Sequence, residues 1–415
     1  MGPVLPLQIH TDGWAPVAEV RPIGDGGVPS TPTHLEYDFD HAAAHLEAQG
    51  HLAVSVSFPV SFELHRLDAW PAFLLDLLPQ GHARRLVDAR NRDAGTAPTD
   101  WNALRVGAGN PVGNLRVPRP DAPPPGPGLT RDDVVERGDG LRAWAEAEGI
   151  PMTGSSDTGG AAPKLLLTEA EDGLLYADGV LPDERARAHW IVKFPRGRTR
   201  RDAQVLANEG PYLEVCRRLG LRCGAPTLHR DGALFVPRFD RRVTDAGVER
   251  LGLESLYSAM GVVEPGAPLR QEDAVHAILG HTRRPGEALE YVLRDVVAWA
   301  LGDTDNHGRN TSFLKDLDGT VVLSPLYDVA PMFLDPDLVK RTSRWRSETP
   351  DGPDWEDVAR FLEGVLPDLD VRGTLRELGE KLGDAELLRG ADVDDDVQDR
   401  RRNAISTTAR TLERL

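Results

Sequence analysis

The sequence predicts an α+β fold with an N-terminal α/β subdomain and a C-terminal part that is rich in helices. Strand-like and helix-like patterns both occur within residues 1–117. A proline-rich stretch over 118–129 then separates this region from the rest, as a semi-rigid linker would. From residue 355 onward, apolar residues recur with helical spacing, which predicts a C-terminal lobe rich in helices.

Composition and charge narrow the class of protein. A chain of 415 residues can bury the cores of two or three units. Its net charge of -18 argues against intrinsic affinity for nucleic acid or an anionic membrane. The two cysteines, Cys216 and Cys223, form neither a metal motif nor a disulfide framework. With no apolar run near the ~20 residues of a membrane span and no signal-peptide pattern, we expect a cytoplasmic protein.

The N-terminal region contains structural patterns but no catalytic constellation. Alternation of apolar and small residues over 52–58 predicts a half-buried strand. A short amphipathic helix is predicted over 70–78, and it stops at Pro79. A hairpin is predicted around 107–110.

The middle region contains a glycine-rich loop and a lysine-bearing strand. The loop over 154–160 precedes a strand over 164–168 and could cover a phosphate, although a flexible loop is the alternative. It is not a Walker loop, because no Gly-Lys-Ser/Thr ends it before a helix. Lys193 lies in the strand 190–194 between bulky residues, so its ammonium must reach solvent or meet an anion.

Two further patterns follow Lys193. Glu209 is a candidate ion-pair partner for Lys193, but Pro211 should interrupt any helix through Glu209 or mark the first turn of a new one. The stretch 233–241 leads from a strand into an extended link stiffened by proline. Asp240 and the arginine after it could form a local ion pair.

A polar loop over 302–310 lies between a helix and a hairpin. Apolar residues at i, i+3, i+4 and i+7 predict a buried helix ending at Gly302, where glycine can adopt a left-handed cap. A turn at 318–319 predicts a hairpin with strands over 311–314 and 320–323. Because a hairpin brings its ends together, we expect Asn310 and Asp328 to lie close in space.

The spacing within this loop suggests phosphoryl transfer. Asp305 and Asn310 match the Asp-x-x-x-x-Asn of protein-kinase catalytic loops, in which Asp accepts the substrate hydroxyl proton and Asn holds a metal. Oxygen ligands from Asn310 and Asp328 beside that base would form a Mg²⁺ site. The alternative is a loop rich in Asp and Asn because these residues suit turns and caps.

Several motifs, in the same order along the chain, together resemble the HipA-type serine/threonine kinase toxins of toxin–antitoxin pairs. The motifs lie at 77–81, 106–116, 191–195, 208–209, 238–241, 302–310 and 324–328. This resemblance implies a HipA-like, two-lobed, protein-kinase-like fold. Its parts would be an N-terminal subdomain (1–117), a linker (118–129), a nucleotide-binding region (130–241) and a helical lobe with the catalytic loop (242–415).

The resemblance also implies roles for individual residues. Asp305 would be the catalytic base, Asn310 and Asp328 would be Mg²⁺ ligands, and the backbone near Pro237 and Phe239 would hold adenine. The residues implied to bind ATP are Lys193, Ser155, Ser156, Asp157, Thr158, Gly159, Gly160, Lys164, Val236, Pro237, Phe239, Asp240, His307 and Arg309.

The glycine-rich loop departs from the family pattern Ser-x-Ser-Gly-x-Gln-Pro-Lys, whose serine is often autophosphorylated. Alignment on Lys164 places that serine at Asp157 or Gly159. Either Ser155 and Ser156 take over self-phosphorylation, or Asp157 is a fixed negative charge that keeps the loop open.

The resemblance implies partners as well. The expected partner is a helix-turn-helix, HipB-like antitoxin that brings the complex to DNA. The expected substrate is a serine or threonine of a translation component such as an aminoacyl-tRNA synthetase. The alternatives are a pseudokinase or binding scaffold that sequesters a partner, and a small-molecule phosphotransferase of the same fold.

Overall fold

The computed structural model describes residues 4–24, 26–119, 125–136, 163–264 and 266–415. Helices and several mostly antiparallel sheets make it an α+β protein, as predicted. It divides into two compact units. Unit 1 comprises Met1–Arg196, Thr227–Pro265 and Ser312–Val321, and unit 2 comprises Gly197–Pro226, Gly266–Thr311 and Val322–Leu415. Each unit is built from several segments of the chain. The four domain ranges predicted from the sequence are continuous segments, so they describe a different division and stay predictions.

The secondary-structure elements are numbered in chain order. The strands are β1 (Leu5–His10), β2 (Trp14–Pro22), β3 (Thr33–Tyr37), β4 (His65–Leu67), β5 (Leu115–Arg116), β6 (Lys164–Ala170), β7 (Leu175–Ala177), β8 (Ala186–Lys193), β9 (Leu228–Arg230), β10 (Ala233–Pro237), β11 (Arg241–Thr244), β12 (Gly247–Arg250), β13 (Gly252–Ser255), β14 (Leu269–Arg270), β15 (Ser312–Lys315), β16 (Val321–Leu323) and β17 (Ser343–Arg344). The helices are α1 (Phe39–His45), α2 (Leu74–Leu77), α3 (Gly81–Asp93), α4 (Asp100–Gly107), α5 (Arg200–Arg218), α6 (Leu256–Ala259), α7 (Gln271–Thr282), α8 (Pro285–Leu301), α9 (Trp355–Val365), α10 (Val371–Leu382) and α11 (Asp395–Leu412).

The first sheet of unit 1 has the order β4-β3-β2-β1-β5. Alternate residues of β1 (Leu5, Leu7 and Ile9) are fully buried, because side chains of a strand point alternately to its two faces. They pack in one core with Trp70, which precedes α2, and with Trp101 of α4.

The predicted strand over 52–58 is wrong. This segment is a short 3₁₀ helix followed by turns, and Ser55 makes only an isolated bridge to Phe58. The reason is a buried carboxylate. Glu254 accepts hydrogen bonds from the Ser55 hydroxyl (2.5 Å) and the Val56 backbone N–H (2.7 Å). The Val56 N–H, which could have paired with a neighbouring strand, therefore binds a side chain instead.

The predicted hairpin around 107–110 is also wrong, because α4 extends to Gly107. The Thr99 side chain caps this helix by accepting from the Asn102 backbone N–H. Trp101, Leu104 and Ala108 are buried at helical spacing. Helical packing therefore prevails over the turn signal, whereas the short helix α2 confirms the helix predicted just before Pro79.

The second sheet of unit 1 has the order β7-β6-β8-β10-β9. It contains the predicted strands over 164–168, 190–194 and the beginning of 233–241. Leu165, Leu167, Val192 and Phe235 fill its core with at most 1% exposure. β13 and β15 also pair in unit 1, and β16 follows β15 in the same sheet, which confirms the hairpin after residue 310.

Unit 2 contains the longer helices. The expectation that Pro211 interrupts the helix through Glu209 is wrong, because α5 continues through it. A proline inside a helix costs about 3 kcal/mol. The side chains that follow, Tyr212, Leu213 and Val215, are buried, and each fully buried apolar side chain contributes roughly 1.5–3 kcal/mol, which offsets that cost.

The C-terminal part of unit 2 is helical, as predicted. In α9, Trp355, Val358 and Leu362 are buried on one face. The cluster beginning at Asp394 lies at the start of α11, which agrees with the prediction of a helix N-terminus. Among the described residues, we find no helix whose length and apolar character would let it cross a membrane.

Candidate active site

The backbone turns sharply where α8 ends, and the polar loop over 302–310 begins there. Gly302 has a φ of 77°, a left-handed conformation that favours glycine. The backbone N–H groups of Gly302 and Asp303 both donate to the carbonyl of Ala298, at 2.9 Å each. This turn starts the loop immediately after a rigid, buried helix.

Side chains from elsewhere in unit 2 bind the last carbonyls of α8. Arg401 donates to the carbonyls of Trp299 (2.9 Å) and Ala300 (2.8 Å), and the Tyr212 hydroxyl donates to that of Leu301 (3.0 Å). A cation at a helix C-terminus is also favoured by the helix dipole. The end of α8 is therefore fixed from two sides.

Within the loop, the backbone of Asp305 is held on both sides by neighbouring side chains. Its N–H donates to Asp303 Oδ1 at 3.2 Å, and its carbonyl accepts from Asn310 Nδ2 at 2.7 Å. The Asn310 backbone N–H also donates to the His307 carbonyl at 2.9 Å. The position of Asp305 in the loop therefore rests on backbone hydrogen bonds as well as on its own side chain.

His307 lies against the Asp305 carboxylate. Its Nε2 is 3.3 Å from Asp305 Oδ1, and its Nδ1 accepts from the Arg309 backbone N–H at 3.2 Å. Burial lowers the pKa of His307 below its ordinary value, which favours the neutral ring. Since Nδ1 accepts, the proton of that neutral ring is on Nε2, which faces the carboxylate.

Asp303 is the most deeply buried carboxylate of the loop, at 6% exposure. Burial raises its pKa well above the ordinary value, and the neighbouring charges of Asp305 and Asp328 raise it further. A carboxyl group that binds the loop backbone and resists ionisation suits a structural role for Asp303.

Asn310 and Asp328 line one cavity together with Asp305 and His307, as the predicted hairpin requires. The cavity has an empty volume of about 530 Å³, including space open to solvent. The Tyr327 hydroxyl donates to the Arg309 carbonyl at 2.7 Å, which ties the segment of Asp328 to the loop. Asp328 has a φ of 57°, an uncommon backbone conformation for a residue other than glycine.

The oxygen atoms of this pair fit a hard divalent cation. Because Asn310 Nδ2 is bonded to the Asp305 carbonyl, Oδ1 is the amide atom that can ligate. Within the described part of the chain, no group of three or more His, Cys, Asp or Glu residues is arranged to hold a metal. Asp328 and Asn310 supply oxygen atoms, which are the ligands that a hard cation such as Mg²⁺ takes in proteins.

The residues predicted to bind phosphate lie in unit 1. Lys164 and Lys193 are directly opposite each other in the antiparallel pair β6–β8. Both are buried, at 8% and 5% exposure. Opposed residues of an antiparallel pair share a face with their Cβ atoms ~5 Å apart, so this register brings the two lysines together on one face of the sheet.

The predicted adenine-binding backbone lies at and after the end of β10. Val236 pairs with Ile191 and Pro237 with Trp190, so both belong to the sheet that carries Lys193. Phe239 follows and is partly buried. Their contacts with a nucleotide stay predictions.

Asp240 lies at the centre of a buried ionic cluster that sequence reasoning missed. Its carboxylate accepts from Arg238 (2.6 and 2.9 Å), Arg241 (2.8 Å) and the Gly113 backbone N–H (2.7 Å). Asp178 accepts from Arg238 at 2.8 Å. The Arg and Asp residues of 238–241 are the available signal, and the local pair between Asp240 and Arg241 that they predict is present within the cluster.

The remaining predicted residues have different outcomes. The residues predicted in the glycine-rich loop all lie outside the part of the chain that the structure describes. They are Ser155, Ser156, Asp157, Thr158, Gly159 and Gly160. His307 and Arg309 lie in unit 2 with Asp305, whereas Lys164, Lys193 and the end of β10 belong to unit 1.

Sequence reasoning also missed Asn306, which connects the loop to β17. Its Nδ2 donates to the Ser343 carbonyl at 2.8 Å, and its Oδ1 accepts from the Thr342 backbone N–H at 3.2 Å. Only its position beside Asp305 could have drawn attention to it.

The family model for the HipA-like C-terminal domain matches residues 156–385. HipA of Shewanella oneidensis MR-1, solved as a complex with HipB and operator DNA, is 18% identical, with a TM-score of 0.69 over 98% of this chain and 97% of that one. The Helicobacter pylori proinflammatory kinase CtkA is 16% identical over 55% of this chain and 91% of that one, but its TM-score is only 0.36.

The likeness to the Shewanella structure extends over nearly the full length of both chains, which confirms a HipA-like fold. The family model matches more than half of the sequence and includes the loop over 302–310 and Asp328. The chain therefore belongs to the HipA-like C-terminal domain family.

Proposed function

We propose that this protein is an ATP- and Mg²⁺-dependent serine/threonine protein kinase. The observation that supports this proposal best is that Asp305, Asn310 and Asp328 line one cavity, with Asn310 also holding the Asp305 backbone. A base next to two oxygen ligands is what transfer of a phosphoryl group to a hydroxyl requires.

Each group has a role in this proposal. Asp305 accepts the proton of the acceptor hydroxyl and orients its oxygen, and His307 lies beside its carboxylate. Asn310 and Asp328 would hold Mg²⁺, which would neutralise charge on the phosphate oxygens. Most of the rate enhancement then comes from positioning and charge neutralisation.

The residues of unit 1 supply nucleotide binding in this proposal. Lys193 and Lys164 attract the phosphates, since they place two buried ammonium groups on one face of the sheet. The glycine-rich loop over 154–160 covers the phosphates, and the backbone of Val236, Pro237 and Phe239 holds adenine. The Asp240 carboxylate keeps this backbone in place through Arg238 and Arg241.

We further propose that the chain is the toxin of a toxin–antitoxin pair. Support comes from the family and from the HipA of similar fold, which was solved with HipB and operator DNA. A HipB-like helix-turn-helix antitoxin would carry the complex to DNA, because a net charge of -18 disfavours direct binding. The acceptor would be a serine or threonine of a cytoplasmic translation component such as an aminoacyl-tRNA synthetase.

The test separates chemistry from binding. With labelled ATP, Asp305→Asn should lower the transfer rate by roughly 10²- to 10⁴-fold, as loss of a general base does, while calorimetry still detects Mg-ATP binding. Asp328→Asn should weaken Mg²⁺-dependent nucleotide binding as well. Asp351→Asn, at an exposed position, is the matched control and should change neither.

The results also discriminate between a kinase and a pseudokinase scaffold. The kinase is supported if the wild type transfers phosphate from labelled ATP and Asp305→Asn abolishes this transfer. Wild-type turnover in Asp305→Asn would show that the base is misassigned. Nucleotide binding without transfer to any protein, in cell extract or to itself, would favour the scaffold.

A further inference from the structure

A basic segment in unit 2 follows the metal-ligand position Asp328. Residues 338–346 contain four basic residues and no acidic one, in a chain that has 66 acidic and 48 basic residues. Burial alternates along its second half, as in a strand with one inward face. The inward residues are Arg341, Ser343 and Trp345, and the exposed residues are Arg344 and Arg346.

The inward side of this segment is anchored to α8 through one carboxylate. Asp295 accepts from Trp345 Nε1 at 2.8 Å and from Arg341 Nη2 at 3.0 Å. Arg341 Nη2 is also 3.4 Å from Glu348. The backbone between these anchors is therefore held against a buried helix, and the exposed side chains project from a fixed base.

The same segment is joined to the catalytic loop. Asn306, the neighbour of Asp305, bonds to the backbone of Thr342 and Ser343. Arg344 follows Ser343 directly. Hydrogen bonds from Asn306 thus fix the backbone immediately before Arg344. Asn306 is in turn the residue next to the proposed base.

A third arginine lies beside them. β14 and β17 pair in parallel with Arg270 opposite Arg344, and both side chains are exposed. We call Arg270, Arg344 and Arg346 the arginine ledge. Arg344 is 57% exposed, and its Nε is 3.9 Å from Glu348, whose side chain is only 4% exposed. The carboxylate of Glu272, at the start of α7, accepts from the Arg346 backbone N–H at 2.9 Å.

We propose that the arginine ledge binds acidic residues that flank the acceptor serine or threonine of the protein substrate. This inference rests on the proposed kinase function, because it concerns the polypeptide that must reach Asp305. Guanidinium groups bind carboxylates through paired N–H donors, and complementary charge at a rim mainly sets partner choice. The ledge thus selects acidic segments although the protein as a whole carries a net charge of -18.

A protein segment is favoured over nucleic acid at this ledge for two reasons. The acceptor hydroxyl belongs to a protein, so the residues on either side of it pass the surface next to the loop. Nucleic acid is a long polyanion whose binding needs an extended basic face, and the net charge of the chain opposes it.

The experiment uses the full chain and fluorescent serine peptides that differ only in their flanking residues, which are Asp/Glu, Asn/Gln or Lys. Fluorescence anisotropy should show tightest binding of the acidic peptide. Arg344→Ala with Arg346→Ala should weaken that binding about fivefold, as expected for two solvent-exposed ion pairs, and leave the neutral peptide unaffected. Arg389→Ala with Arg402→Ala is the matched control, since these side chains are 68% and 72% exposed, and should have no effect.

Kinetics give the second measurement. In the ledge variant, KM for the acidic peptide should rise about fivefold, whereas kcat and the KM for ATP should stay unchanged. Unfolding of the site would change all three constants. Equal binding of the three peptides, or an acidic-peptide affinity that the ledge variant leaves unaltered, would overturn the proposal. Tighter, ledge-dependent binding of a single-stranded RNA would overturn it in favour of nucleic acid.

The two proposals can fail separately. If no peptide or protein is phosphorylated but the acidic peptide still binds in a ledge-dependent way, the kinase function fails and the docking surface stands. If transfer occurs at equal rates to all three peptides, the kinase stands and the ledge is not its specificity determinant.

Discussion

The buried cluster around Asp240 gives the sharpest prediction about stability. Asp240→Asn preserves the shape of the side chain but removes the charge that faces Arg238 and Arg241. Removing one partner of a buried ion pair typically costs about 3–5 kcal/mol. Asp178 remains 2.8 Å from Arg238 and compensates part of the charge, so we expect the low end, about 3 kcal/mol.

Hydrogen–deuterium exchange measures this loss locally. Because every 1.4 kcal/mol is tenfold, amides of β10 and of Gly113 should exchange roughly a hundredfold faster in Asp240→Asn. The matched control is Glu249→Gln, which breaks an exposed pair with Arg242 in the same unit and should change exchange by less than about threefold. An increase below about fivefold at β10 would refute the assignment of the cluster as a main support of this region.

The stability that the same cluster provides should decrease as the pH falls. Although burial alone would raise the pKa of Asp240, Arg238 and Arg241 hold it well below its ordinary value. Its stabilising contribution is therefore complete above the pKa of an unfolded aspartate, ~3.9, and is lost as the pH falls below it. Between pH 5 and pH 3, the wild type should lose protection at β10 more steeply than Asp240→Asn.

Three further substitutions test the frame of the candidate site. Gly302→Ala should lower the free energy of unfolding by about 1–3 kcal/mol, because φ is 77° and an added Cβ would lie 2.8 Å from Arg401 Cζ. The control is Gly280→Ala in helix α7, where there is open space around the glycine. This variant should be as stable as the wild type or more stable in the same thermal melt. Glu287→Gln should cost about 1–2 kcal/mol in urea unfolding, since Glu287 binds Arg222 and the Leu323 backbone N–H, and a midpoint equal to the wild type would contradict this. Pro211→Ala should raise the melting temperature by restoring a helical hydrogen bond, and a lower one would show that the proline is needed.

The loop over 302–310 could be predicted from sequence because the signals that define it are local. The helical stripe, the glycine cap and the turn at 318–319 each depend on residues within a few positions. Together they brought Asn310 and Asp328 to one cavity without any long-range information.

The features that were missed depend on residues far apart in sequence. Ser55 and Glu254 are 199 positions apart, and Asp178 and Arg238 are 60 apart. No periodicity or turn signal encodes such pairs, since they arise only when packing brings two segments together. The same holds for the register that sets Lys164 opposite Lys193, although each lysine had been noted alone.

The hydrogen bonds around Asp305 also bear on how the site can be tested. Asp303 and Asn310 hold its backbone, and His307 Nε2 lies 3.3 Å from its carboxylate. Asp305→Asn therefore removes a charge and a proton acceptor but leaves the hydrogen bonds to its backbone in place. Asn310→Ala, in contrast, removes both a proposed Mg²⁺ ligand and the support of the Asp305 carbonyl. Loss of activity in Asp305→Asn accordingly reports on chemistry, whereas loss in Asn310→Ala reports on chemistry and loop position at once.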